Sequence, residues 1–185
     1  MLDLVKRETE RIDARFLEPA CGTGNFLVEI LRRKLCVVAD RYARSRMEYQ
    51  RYAVLAVSSI YGIDILQENV VTCRGRLLSA FDEAYSSVYK VPQRDRCRPV
   101  VRYILGCNII WGDALSLTTP GEDPRPIVFA EWAPVGRNMI KRRDYSFREL
   151  LASDSSEAPT LFDVPAEHHV SDRGEPVFIP TPVKE

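Results

Sequence analysis

Three short stretches of this 185-residue chain carry residue types that can hold a polar small molecule. The first is Glu18-Pro19-Ala20-Cys21-Gly22-Thr23-Gly24-Asn25-Phe26, a Gly-x-Gly turn between a brief apolar run (Phe16-Leu17-Glu18) and a helical pattern. Glycine lets main chain approach a ligand closely, and the start of a helix offers N–H groups without helical acceptors and a partial positive charge. The second is Ile60-Tyr61-Gly62-Ile63-Asp64-Ile65, where a carboxylate closing an apolar run can accept from two ribose hydroxyls. In the third, Ile109-Ile110-Trp111-Gly112-Asp113-Ala114, Asp113 can accept from an adenine amino group. Alone, each aspartate also reads as a helix cap or turn residue, and a lone Gly-x-Gly as an ordinary tight turn. In this order, the three describe a site for an adenosine moiety spread over neighbouring strands. A dinucleotide fingerprint is excluded because Leu27 stands where the third glycine belongs, and a P-loop because no Gly-Lys-Ser/Thr follows.

These residues need elements to position them. Phe26, Leu27, Ile30, Leu31, Leu35, Val38 and Tyr42 recur at helical spacing, with Arg32, Arg33 and Lys34 expected on the opposite, solvated face. Further helical stretches are predicted over Tyr49–Val57 and about Gln67–Tyr89, with a short polar helix over residues 2–12. Residues 90–99 read as a basic, proline-flanked loop. Strands are expected at Phe16–Glu18, Ile60–Asp64, Ile109–Trp111 and Ile127–Trp132, and Ser146 is a candidate N-cap for Phe147–Leu151. Strands alternating with long helices argue for an α/β fold with a parallel sheet. Ligands in such sheets sit beyond the strand C-terminal ends, where all three stretches fall.

At 45% hydrophobic and 28% charged the chain can bury a core. Lys+Arg and Asp+Glu balance at 26 each, but residues 149–185 carry a net −6 and residues 1–148 a net +6. Residues 1–152 are read as one domain and 153–185, with five prolines, as a mostly unstructured acidic tail. No run reaches the ~20 apolar residues of a membrane helix, and the N-terminus is too charged for a signal peptide. Five scattered cysteines (Cys21, Cys36, Cys73, Cys97, Cys107) without a C-x-x-C indicate reduced thiols in a cytoplasmic protein, with no zinc site. His168-His169 have no partner at a metal-ligand spacing.

The string Phe16-Leu-Glu-Pro-Ala-Cys-Gly-Thr-Gly-Asn-Phe-Leu27 resembles the first motif of the S-adenosylmethionine-dependent DNA adenine-N6 methyltransferases of restriction–modification and phage-defence systems. Tyr61-Gly-Ile-Asp-Ile65 is similar to their second motif and Trp111-Gly-Asp-Ala-Leu115 to their third, so the resemblance covers roughly residues 1–132. It implies a Rossmann-like methyltransferase fold with S-adenosyl-L-methionine as cofactor and DNA as partner. Main chain from Ala20 to Gly24 would line the methionine part, between Pro19 and the helix start at Asn25 and Phe26. Asp64 would take the ribose hydroxyls, Ile65 pack on the adenine, and Asp113, followed by Ala114, read the adenine amine. Glu18 would lie beneath the cationic sulfonium.

The resemblance stops before the family's catalytic motif. That motif, Asn/Asp/Ser-Pro-Pro followed by an aromatic, holds the amine of an extruded adenine after the fourth strand. Here the chain reads Phe129-Ala-Glu-Trp-Ala-Pro-Val-Gly136, with Ala133 before Pro134 and Val135 after it, so no catalytic residue is assigned. Glu131 and Trp132 read either as displaced substitutes or as a rim carboxylate and a buried Trp. The family's upstream segment over the methionine end has no counterpart, and four strands are expected where the family has about seven. An incomplete sheet with an open edge is the expectation, that of a fragment, a truncated gene product, or a subunit whose missing pieces come from a partner chain or a second copy. The alternative is a non-catalytic cofactor-binding or architectural subunit or fragment that needs a partner chain, and methylation of RNA or protein shares the same cofactor half. Of the basic clusters (Arg32–Lys34, Arg41–Arg46, Arg94–Arg98, Arg137–Arg143), Lys141-Arg142-Arg143 with Tyr145 and Phe147 is the best candidate for contact with nucleic acid.

Overall fold

The computed structural model describes residues 6–90, 97–135 and 139–146, together with the main chain of 177 and 178. Within them lies an α/β fold with a three-stranded parallel sheet, β1 (Phe16–Glu18), β2 (Ile60–Asp64) and β3 (Ile109–Trp111), in that spatial order. Phe16 pairs with Ile60 and Glu18 with Gly62, and Gly62 pairs in turn with Ile109 and Asp64 with Trp111. This register brings the ends of all three strands to one rim.

The connections are helical. After α1 (Lys6–Thr9), α2 (Asn25–Tyr42) and α3 (Arg46–Ser58) join β1 to β2, and α4 (Gln67–Val88) and α5 (Cys97–Asn108) join β2 to β3. Ser45 caps α3 by accepting from the Glu48 N–H, a Ser-x-x-Glu start. Leu27, Ile30, Leu31, Leu35 and Val38 of α2 meet Val54 and Val57 of α3, Leu77 and Phe81 of α4, and Val101, Ile104 and Leu105 of α5 in the main core. Strand pleating divides β2 between two cores, because successive side chains leave on opposite faces. Ile60 enters the helical core, whereas Tyr61 and Ile63 face Ile127, Phe129 and Tyr145.

That second layer corrects the expected fourth parallel strand. β4 (Val128–Val135) pairs antiparallel with β5 (Met139–Ser146), Phe129 opposite Tyr145 and Trp132 opposite Arg142. The ribbon packs on the face of the parallel sheet instead of extending it. The Tyr61 hydroxyl donates to the Ala130 carbonyl at 2.9 Å, and the Tyr61 and Phe129 rings meet edge to face. Of the segment expected to lack structure, Val177–Phe178 (β6) pairs with Met139 and Ile140, and the remainder lies outside the described residues, as do Phe147–Leu151.

Two other expectations change. The supposed loop at 90–99 gives way at Cys97 to α5, and residues 91–96 lie outside the described residues. Lys34 does not share a solvated face with Arg32 and Arg33. It is fully buried on the apolar stripe of α2, where Nζ donates to the Ile12 and Ala14 carbonyls and to Ser59 Oγ, above the Phe16 ring. Burial lowers its pKa to about 7, against a partial opposing pull from Asp13.

Candidate functional site

The glycine turn leaves β1 and folds onto the end of β2. The Cys21 N–H donates to the Ile63 carbonyl at 2.9 Å, and the Gly24 N–H to the Cys21 carbonyl at 2.8 Å. Gly22 (φ +52) and Gly24 (φ +83) both occupy the left-handed region, where a side chain is strained. The two differ in surroundings. A Cβ on Gly24 would stand 2.5 Å from Cys73 Sγ, whereas one on Gly22 would meet nothing within 4 Å. Gly24 therefore packs inward and Gly22 faces open space. Gly24 caps α2 without a side-chain hydrogen bond, so the N–H groups that open this 18-residue helix keep their donor capacity.

Asp64 ties the turn to β2. Its Oδ2 accepts from the Gly22 N–H at 2.8 Å, and Oδ1 accepts from the Leu66 N–H at 2.9 Å and from Asn69 Nδ2 at 3.0 Å. Burial alone would raise its pKa, but the three donors outweigh it and hold the carboxyl below its usual value. Three of about four acceptor positions are thus used inside the protein.

The third strand end joins through main chain. The Gly112 N–H donates to the Asp64 carbonyl at 3.0 Å, and the Trp111 indole N–H to the Ile65 carbonyl at 2.9 Å. Asp113 heads a closed turn in which its Oδ1 accepts from the Leu115 N–H at 2.8 Å. That bond, with others from Ser116, lowers its pKa. Ile65 (59% exposed), Trp111 and Leu115 (95%) present apolar surface at this rim. Glu18 ends β1, where its Oε1 accepts from the Ala20 N–H at 3.3 Å. Pro19, Ala20, Thr23 and Asn25 are exposed, Ala114 is half-buried, and Phe26 packs partly on the core. The structure therefore brings Glu18 to Phe26, Asp64, Ile65, Asp113 and Ala114 to one end of the parallel sheet.

Sequence reasoning missed what supports them. Helix α4 presents Asn69, Cys73 and Arg76 at helical spacing toward the turn. Asn69 holds Asp64, Cys73 packs against Gly24, and Arg76 Nη1 donates to the Thr23 carbonyl at 2.8 Å, to Thr23 Oγ1 at 3.0 Å and to Asn25 Oδ1 at 2.7 Å. The available signal was the i, i+4, i+7 spacing of polar or small residues facing a glycine turn.

Glu131 and Trp132 do not reach this rim. Ile127, just before β4, lies against Gly112 at this rim, and β4 runs from there to the other end of the sheet. There Glu131 pairs with Arg15, which precedes β1, and accepts from the Tyr145 hydroxyl at 3.0 Å. The Trp132 indole N–H donates to Asn108 Oδ1 at 2.8 Å, while Asn108 Nδ2 donates to the Ser58 and Ile60 carbonyls. Trp132 is buried, as the plainer of its two readings has it, whereas Glu131 lies away from the rim between Arg15 and Tyr145. The basic clusters are largely engaged as well. Arg32 pairs with Glu83, Arg33 with Glu29, Arg98 with Asp82, and Arg142 with Asp144 and the Tyr103 hydroxyl. Arg94, Arg96, Arg137, Phe147 and His168-His169 lie outside the described residues. Among the described residues no group of three metal-ligating side chains forms, and no helix is long and apolar enough to cross a membrane.

No protein-family model, no curated protein and no solved structure matches this chain.

Proposed function

We propose that this chain is the cofactor-binding part of an S-adenosylmethionine-dependent methyltransferase of the DNA adenine-N6 class, with a Rossmann-like core, whose base-holding element comes from a partner chain. The observation that carries the reading is the convergence of the glycine turn, Asp64 and Asp113 at one end of three adjacent parallel strands. The residues fit such a ligand in three respects. Open space over Gly22 admits a group against main chain, the start of α2 suits a carboxylate, and Ile65 with Trp111 offers an apolar seat for a purine. When bound, S-adenosylmethionine supplies an electrophilic methyl group on a sulfonium.

The chain's own residues bind and orient. Main chain from Ala20 to Gly24 embraces the amino-acid end, and Glu18 places a negative charge at the end of β1 beside it. Asp64 fixes Gly22 and offers its remaining acceptor position to a ribose hydroxyl. Asp113, held by its own turn, offers a carboxylate oxygen to the adenine amine. The far placement of Glu131 and Trp132 favours the non-catalytic subunit over a self-sufficient enzyme. DNA and a partner chain or second copy then enter as the groups that complete it in the cytoplasm.

Isothermal titration with S-adenosylmethionine followed by tritiated methyl transfer to mixed-sequence DNA tests this. Saturable binding without transfer is the expected result. Transfer by the chain alone would refute the division of labour, and absence of binding would refute the cofactor reading.

A further inference from the structure

The corner between α2 and α3 gathers cations and tyrosine rings that the ligand rim does not use. Tyr42 ends α2 and Tyr52 lies in α3, and their rings stack with centroids 3.9 Å apart and planes 10° from parallel. Both are half-buried, resting partly on the main core and partly open to solvent. Arg51 lies over the Tyr52 ring at 5.9 Å. Tyr89, which ends α4, is tied to the same corner. Its hydroxyl donates to the Ala43 carbonyl at 2.6 Å, and Arg46 lies over its ring.

Charge on this surface is one-sided. Arg41, Arg44 and Lys90 are exposed and Arg51 is half-buried, and among the described residues none of these four side chains has an ion pair or a hydrogen bond. The acids nearest in sequence, Asp40 and Glu48, are exposed and unpaired as well. Elsewhere arginines are engaged, as Arg32, Arg33 and Arg98 are with Glu83, Glu29 and Asp82. Free cations beside stacked rings are the two components of sequence-tolerant single-strand recognition, the cations for phosphates and the rings for bases. A duplex keeps its base faces stacked inside and has no use for the rings. An acidic peptide could pair with the arginines but offers no flat ring to the stack.

We propose that the α2–α3 corner binds single-stranded nucleic acid, with Arg41, Arg44, Arg51 and Lys90 on the phosphates and a base extending the Tyr42–Tyr52 stack. Helix α2 has 18 residues, so the corner stands about 27 Å from the glycine turn at its other end. At about 3.4 Å per stacked nucleotide that is about eight nucleotides of strand. The corner is therefore a second site, separate from the rim. It goes beyond the cofactor reading and does not rest on it, because a strand is held here whether or not S-adenosylmethionine binds.

Fluorescence anisotropy of the full chain with labelled oligothymidylate of about 20 nucleotides tests this, with oligouridylate alongside to distinguish DNA from RNA. A dissociation constant below about 100 µM at about 50 mM salt is expected for at least one strand, rising with salt. Arg41→Ala combined with Arg44→Ala should weaken binding about tenfold or more and lower the log–log salt slope by about 1.4. Tyr42→Leu should weaken it about fivefold or more at an unchanged slope, and Tyr42→Phe should keep wild-type affinity, because the ring and not the hydroxyl stacks. A duplex of the same length should be indifferent to Tyr42→Leu. Thermal melts by circular dichroism establish that each variant is folded. The two arginines are exposed, so their substitution decides even where Tyr42→Leu is destabilised. Absence of binding to both strands, or binding unaffected by the double substitution, would overturn the proposal. Equal losses on strand and duplex in Tyr42→Leu would overturn it too, as would displacement of the strand by polyglutamate at equal charge, which would assign the corner to an acidic protein.

Discussion

Asp64→Asn tests whether one carboxylate fixes the glycine turn to the end of the parallel sheet. The aspartate accepts from the Gly22 N–H, the Leu66 N–H and Asn69 Nδ2 on two oxygens, and the residue is 8% exposed. Asparagine has the same shape but replaces one oxygen with an NH2 group. In either orientation that group faces a donor, Gly22 on one side or Leu66 with Asn69 on the other. At least one charge-assisted bond is lost and the rest become neutral, which costs about 1.5–3 kcal/mol. Urea unfolding followed by far-ultraviolet circular dichroism at pH 7 should show a lower midpoint with an unchanged slope. The difference is also pH-dependent with a definite sign. The folded-state pKa lies below the ordinary value, so the carboxylate's contribution is complete above about pH 4 and is lost as pH falls through the folded value. Wild type and variant should therefore converge in acid. An equal midpoint at pH 7, or a gap that persists in strong acid, would refute the role assigned to Asp64.

Four further outcomes are expected. Arg76→Ala should weaken S-adenosylmethionine binding by about 1 kcal/mol through loosening of Thr23 and Asn25, with partial recovery in Arg76→Lys, as read by titration. Gly24→Ala should cost about 1–2 kcal/mol from its positive φ alone, and more from the contact with Cys73, whereas Gly22→Ala should meet only the backbone term; thermal unfolding separates them. Trp132→Phe should cost about 1–3 kcal/mol by leaving Asn108 Oδ1 buried without its donor, without changing ligand affinity. Lys34 should make wild-type stability rise between pH 7 and 10.5, where only the unfolded chain holds its proton, and Lys34→Met should flatten that rise in urea titrations.

The parallel half of the fold was legible because its signals are local. Apolar runs of three to five residues that stop at Pro19, at Asp64 and at Gly112 mark β1, β2 and β3, and α2 and α4 show sustained helical periodicity. Helix α5 was hidden by Pro99 and its basic surroundings, although proline is tolerated in a first turn, where its missing N–H has no acceptor. Lys34 was misplaced by residue type. Three and four positions from Leu31 and Ile30, it belongs to the apolar stripe, and the oxygens of Ile12, Ala14 and Ser59 satisfy it there. Strand β5 reads Met-Ile-Lys-Arg-Arg-Asp-Tyr-Ser, with no alternation to betray it. Its place depends on pairing with β4 and on Arg142 meeting Asp144 and Tyr103, contacts that no local pattern encodes. At the rim, the residues that gather at the strand ends were legible by type and spacing, whereas Asn69, Cys73 and Arg76 approach from a helix whose placement only tertiary structure defines.

The central claim is that the turn at Gly22, pinned by Asp64, receives S-adenosylmethionine. Calorimetric titration of the full-length chain, wild type beside Asp64→Ala, measures it most directly. One saturable site with a dissociation constant below about 1 mM, weakened at least about tenfold in the variant, is the predicted result. Absence of saturable binding to wild type, or equal affinity in the two proteins, would contradict it.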